Sequence, residues 1–161
     1  MGLFDFFKGF FKSKSGQEKE KQSKGTSEYI SWDDSYSVNV KQLDDEHKKL
    51  VVMINELHEA MQVGKGKEML SGILGRMVTY VGSHFSNEEK YMEKFSYPDY
   101  EAHKKEHNDF VKKTLEFQQN FNDGKMGLSI EVMFFLKEWL LNHIKGSDQQ
   151  YGPFFNEKGL R

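Results

Sequence analysis

The chain has 161 residues, room for one domain and a tail. Its 23 basic and 25 acidic residues nearly cancel, which leaves no general field for holding nucleic acid. There is no cysteine, so a disulfide framework and a thiolate metal site are both excluded, and any metal must be held by nitrogen and oxygen.

Residues 3–11 read Leu-Phe-Asp-Phe-Phe-Lys-Gly-Phe-Phe. At about 100° per residue, Leu3, Phe4, Phe6, Phe7, Phe10 and Phe11 share one side of a helix, with Asp5, Lys8, Gly9 and Lys12 opposite. An amphipathic helix over 1–12 is expected. Isolated helices shorter than about 12–15 residues are marginal in water, so its Phe face needs a surface. A membrane interface, a second copy or partner, and the chain's own domain are all open. Phe6 stands where a myristoylation signal wants Ser or Thr. The segment also lacks the cleavage site of a secretory leader, and no apolar run approaches the roughly 18–20 residues of a membrane span. The expected location is the cytoplasm, peripheral to the membrane if the Phe face finds lipid. Residues 13–28 carry no large apolar side chain and read as a flexible linker.

From residue 29 the composition turns apolar. Tyr29, Ile30, Trp32, Tyr36, Val38 and Val40 suggest an extended arm packed on the domain. Four helices follow. The first covers about 42–62 and carries Leu43, His47, Leu50, Val51, Ile54, Leu57, His58 and Met61 on one stripe. The second covers about 67–95; Gly72, Gly75 and Gly82 weaken it locally or let a neighbour approach. The third covers about 99–122 after Pro98-Asp99, and Asn122-Asp123-Gly124 makes a turn. The fourth starts near Ser129, read as its N-cap, and runs to about Lys145. Long amphipathic helices with short loops predict an all-α, up-down-up-down four-helix bundle over 29–161.

Five of the six histidines lie on the inward faces: His47, His84, His103, His107 and His143. A single buried imidazole is usually a satisfied core residue. Five unrelated ones would cost several unsatisfied polar groups, a cost that a shared metal removes. His84 and Glu88, like His103 and His107, are four residues apart and so share a helix face. Asp148 follows His143 by five, about 140° out of phase on a regular helix. It fits if the helix loosens at Gly146 or if Asp148 reaches a second ion. Five nitrogens and two carboxylates suit a pair of transition ions, Fe, Zn, Cu or Ni in preference to Mg or Ca. His58 lies eleven residues from His47, about 16 Å along the axis, too far to join them.

The pattern Asp44-Asp45-Glu46-His47-Lys48-Lys49-Leu50, His84-Phe85-x-x-Glu88-Glu89, Tyr97-Pro98-x-x-x-x-His103-x-x-x-His107 and His143-Ile144-x-x-x-Asp148 resembles the hemerythrins, especially bacterial ones, over about residues 30–155. The resemblance implies a non-haem di-iron centre that binds O2 reversibly, not an enzyme. It implies His103, His107 and His143 on one iron, His47 and His84 on the other, and Glu88 and Asp148 bridging both with an oxo or hydroxo group. The second iron then keeps one open position for O2. Leu50, Phe85, Trp139, Leu140 and Ile144 lie within a turn of these residues and could wall a dry pocket, a role compatible with ordinary core. Tyr80 is the one nearby proton donor; its hydroxyl at the open position would work against reversible binding. An oxidase, peroxidase or nitric-oxide-handling enzyme, or a sensor of O2 or iron, are the alternatives. No Glu-x-x-His occurs, as ferritin-like di-iron enzymes would require.

Overall fold

A computed structural model describes residues 28–161. The expected amphipathic segment and nearly all of the linker lie outside the described residues. Four antiparallel rods form the bundle. The first is α1, Lys41–Gln62. The second is α2, Gly66–Tyr80, a π-helical segment at Val81–Phe85, and α3, Ser86–Phe95. The third is α4, Tyr100–Asn122. The fourth is α5, Leu128–Glu138, a π-helical segment at Trp139–Asp148, and α6, Gln149–Glu157. Among the described residues, no helix is long and apolar enough to cross a membrane.

The apolar stripe of α1 goes inward as the spacing dictates, with Leu43, His47, Leu50, Ile54 and Leu57 all buried. The chain reverses at Gly64, whose φ of 72° suits a residue without a Cβ. Two readings of the sequence are corrected. Ser129 is not the cap of the fourth rod: Gly127, at φ 74°, takes that place and the helix opens at Leu128 without a side-chain cap. Nor does the fourth rod end near Lys145. Its wide π turns carry it past Gly146 and into α6, which ends at Glu157.

The arm over 29–40 lies along the bundle, with a 3-10 turn at Asp34–Tyr36. Asn55 pairs with the backbone of Ile30, accepting its N–H at 2.9 Å and donating to its carbonyl at 2.7 Å. Asp44 accepts from the Val38 N–H at 2.8 Å and from the Ser37 hydroxyl at 2.6 Å. The close approach sought at the second rod's glycines is found elsewhere. A Cβ at Gly72 or Gly82 would meet nothing within 4 Å, whereas one at Gly152 would meet the Val38 carbonyl at 2.9 Å.

The core has two parts. The larger runs from Leu50 and Leu57 through Leu70, Met77, Phe85, Phe110 and Phe117 to Leu136 and Ile144. The smaller gathers Val38, Val40, Leu43, Met92, Tyr97, Tyr151 and Phe155. A layer of histidine and carboxylate lies between them.

Candidate metal centre

Each rod delivers its part of that layer from a position that local structure explains. On α1, His47 is one turn past Leu43 on the same stripe. On α4, His103 and His107 are one turn apart. On the fourth rod, the π-helix does what a regular helix could not. Hydrogen bonds that close from i to i+5 bring residues five apart onto one face, and His143 Nε2 lies 3.0 Å from Asp148 Oδ1. The sequence showed the phase problem, and this widened turn resolves it. A shorter π segment also holds His84.

All seven residues meet in one layer: His47, His84, Glu88, His103, His107, His143 and Asp148 are each at most 3% exposed. Glu88 Oε1 lies 3.2 Å from His47 Nε2 and 3.0 Å from His84 Nε2, and its Oε2 lies 3.0 Å from His107 Nε2. Asp148 repeats the arrangement, with Oδ2 at 3.0 Å from His47 Nε2 and Oδ1 at 3.0 Å from His103 Nε2. Each carboxylate therefore faces both halves of the layer. Two groups of four, each with donor atoms within 4.8 Å of one another, could each hold an ion. One is Glu88, His103, His107 and His143; the other is His47, His84, Glu88 and Asp148.

The donor atoms fit a pair of ions and little else. Glu88 Oε2, both Asp148 oxygens and the Nε2 atoms of His103, His107 and His143 are buried without a hydrogen-bond partner. They lie about as close as hydrogen bonds require but are not aligned as donor and acceptor. Lone pairs aimed into common points between them are what ion coordination needs. Without cations, the two carboxylates draw protons onto the imidazoles. Burial opposes charge on His47, but Asp148 and Glu88 outweigh it and push its pKa up to about 9; the same balance pushes His103 up to about 10. Burial also works against the charged forms of Glu88 and Asp148, yet the surrounding imidazoles hold both carboxyls far below their usual range.

The other face of three imidazoles is held by carboxylates that sequence reasoning missed. His84 Nδ1 is 2.6 Å from Glu46 Oε2, His107 Nδ1 is 2.9 Å from Glu89 Oε1 and His143 Nδ1 is 2.5 Å from Glu106 Oε2. An Nδ1–H donated to a carboxylate fixes the ring and leaves Nε2 free to ligate. The signal was present, because Glu46 and Glu106 directly precede His47 and His107, and Glu89 follows Glu88. Each Glu, however, grips a histidine of another rod, and a linear sequence does not show that. Tyr151 was missed too; its hydroxyl donates to Glu88 Oε1 at 2.5 Å. Burial, then the nearby Asp148 and Glu88 charges, push that phenol well above its ordinary pKa, so it keeps its proton.

Aromatic rings clamp the imidazoles on the side of the larger core. Phe85 stacks on His107 at 3.8 Å, Trp139 on His143 at 3.8 Å and Tyr80 on His84 at 4.7 Å. Leu50, Leu140 and Ile144 are fully buried beside them. His58 stays outside the layer, stacked on Tyr29 at 4.0 Å.

Fold and site together define a four-helix-bundle protein built to hold two metal ions through histidines and two shared carboxylates. Residues 38–155 match the Hemerythrin HHE cation binding domain, and the chain belongs to the hemerythrin family. It is 35% identical to a bacteriohemerythrin of Stenotrophomonas maltophilia over 74% of this chain and 77% of that one. It is 36% identical to a bacteriohemerythrin of Methylococcus capsulatus over 73% of this chain and 89% of that one. It is also 36% identical to a myohemerythrin of Theromyzon tessulatum over 74% of this chain and 88% of that one. A crystal structure of wild-type hemerythrin superposes with a TM-score of 0.70 at 33% identity, covering 78% of this chain and 96% of that one.

Proposed function

We propose that this protein binds O2 reversibly at a di-iron centre and serves to store or deliver it. His103, His107 and His143 would hold one iron and His47 and His84 the other, with Glu88 and Asp148 shared between them. The observation that carries this reading is the unequal split of five imidazoles around two shared carboxylates. It would leave one ion a ligand short of its neighbour.

When bound, two ferrous ions supply the electrons that O2 takes up and returns. The chain's own residues decide whether O2 leaves intact. Leu50, Phe85, Trp139, Leu140 and Ile144 keep water from the vacant side. Against the concern raised by its position, Tyr80 is buried, and burial, the largest cause, raises its pKa well above the ordinary phenol value. It holds its proton and is a poor acid, which favours a binding protein over an oxidase.

Iron-loaded, deoxygenated protein mixed with O2 should gain a charge-transfer band and lose it under vacuum. Permanent bleaching with release of peroxide would refute reversible binding. We further propose that residues 2–12 hold the protein at an anionic lipid surface through the Phe side of the segment, close to an O2 consumer. Deletion of these residues should abolish flotation with liposomes and leave the O2 spectrum unchanged; undiminished flotation would show that the anchor lies elsewhere.

A further inference from the structure

Most of the buried side-chain polar atoms without a hydrogen-bond partner belong to the layer; outside it, among the described residues, are Arg76 Nε, the Tyr80 hydroxyl and Trp139 Nε1, and the last two come from rings that pack on the layer. Tyr80 is 4% exposed, and neither its hydroxyl nor the buried Trp139 Nε1 makes a well-aligned hydrogen bond; the two lie close enough for the indole N–H to act on the phenol oxygen, but an indole offers no acceptor for the phenol proton. They come from different rods and converge on the same neighbours. Tyr80 lies 5.7 Å from Phe85 and 6.2 Å from Phe110, and Trp139 lies 5.7 Å and 4.7 Å from the same two rings. Each also stacks on an imidazole of the layer, Tyr80 on His84 and Trp139 on His143.

An outer cleft of about 370 Å³ between the first and second rods touches the Tyr80 ring, together with Val52, Met53 and Thr79. It does not satisfy the hydroxyl, which is sealed from solvent. A buried hydroxyl without a partner costs roughly 1–3 kcal/mol. Phenylalanine would fill the same stacked position at no such cost. The hydroxyl therefore has a use that the packing does not supply, and its ring is stacked on His84, on the His47–His84 side of the layer.

We propose that the Tyr80 hydroxyl, with Trp139 Nε1 beside it, is the hydrogen-bond donor that recognises a small ligand on the His47–His84 side: O2, or a small linear anion such as azide. This rests on the di-iron reading. It adds a specificity role, because a donor on the His84 side favours ligands whose outer atom gains negative charge on binding over neutral ones.

The test uses Tyr80→Phe and Trp139→Phe in the full chain. Metal-free Tyr80→Phe should melt at or above the wild-type temperature, because an unsatisfied group has been removed. Iron-loaded Tyr80→Phe should bind azide about tenfold more weakly, the worth of one hydrogen bond of ordinary strength. The azide stretch of the wild type should shift between H2O and D2O, and that shift should vanish in Tyr80→Phe. An azide affinity within twofold of wild type in both variants overturns the proposal. So does a metal-free Tyr80→Phe that melts several degrees lower, which would mean that the hydroxyl has a structural partner. A wild type that binds azide but fails to bind O2 reversibly refutes the proposed function instead, and leaves the azide comparison standing.

Discussion

Glu106 sits beside His107 in the chain but grips His143 on another rod, while its other oxygen accepts from Ser147 at 2.9 Å. Glu46 does the same for His84 and also accepts from Asn87 at 2.7 Å. These carboxylates set which nitrogen of each ring faces the ions, and their charge raises the basicity of the ring. Glu106→Gln keeps the acceptor oxygen and removes the charge. Iron affinity, measured by competition with a chelator, should fall about 10–100-fold. A fall of less than twofold would show that the charge is irrelevant. At this scale the sequence was legible wherever residue type alone limits the chemistry. The five inward histidines and Glu88 could be picked out because few other roles suit them. Glu46, Glu89 and Glu106 could not, because a Glu beside a His looks the same whether it faces solvent or the next rod.

At the scale of elements, the helices could be read because their apolar period is strong. Their irregularities could not. Nothing in Trp139-Leu-Leu-Asn-His-Ile-Lys-Gly-Ser-Asp148 marks a π-helix except the awkward interval between His143 and Asp148. Gly152 was likewise invisible, because the atom that needs its missing Cβ is the Val38 carbonyl, more than a hundred residues away. Gly152→Ala should destabilise the protein by about 1–3 kcal/mol in urea unfolding, since backbone faces backbone and neither yields easily. Gly72→Ala is the control: on an open helical face it should stabilise by about 0.5–1 kcal/mol. Equal effects at both sites would show that the contact between the arm and α6 is slack.

Over the whole molecule, a charged layer lies between two apolar cores, and its charge state must follow pH when no cation fills it. His47 and His103 have folded pKa values of about 9 and about 10, above the ordinary value of 6.5. A raised folded pKa contributes stability in full below the unfolded value and loses it as pH passes the folded one. Metal-free protein should therefore lose stability between about pH 6.5 and pH 10. Iron-loaded protein should not, because the ions replace those protons, and iron affinity should rise over the same range. Urea midpoints across this interval, with and without iron, provide the check; parallel curves would mean that the imidazoles are neutral in the empty layer.

The widened turn in the fourth rod has a consequence downstream of the ions. Tyr151 and Phe155 follow Asp148 within two turns, and they close the small core over the layer. Their orientation is inherited from the surplus residue that the i→i+5 turns accommodate. Closing the same residues into an ordinary helix, with none removed, would rotate everything after the segment by about 100°. Asp148 would leave its partners, and the aromatic plug would swing away in the same movement. Ligand geometry and closure of the site thus share one register, and neither can be adjusted without re-aiming the other.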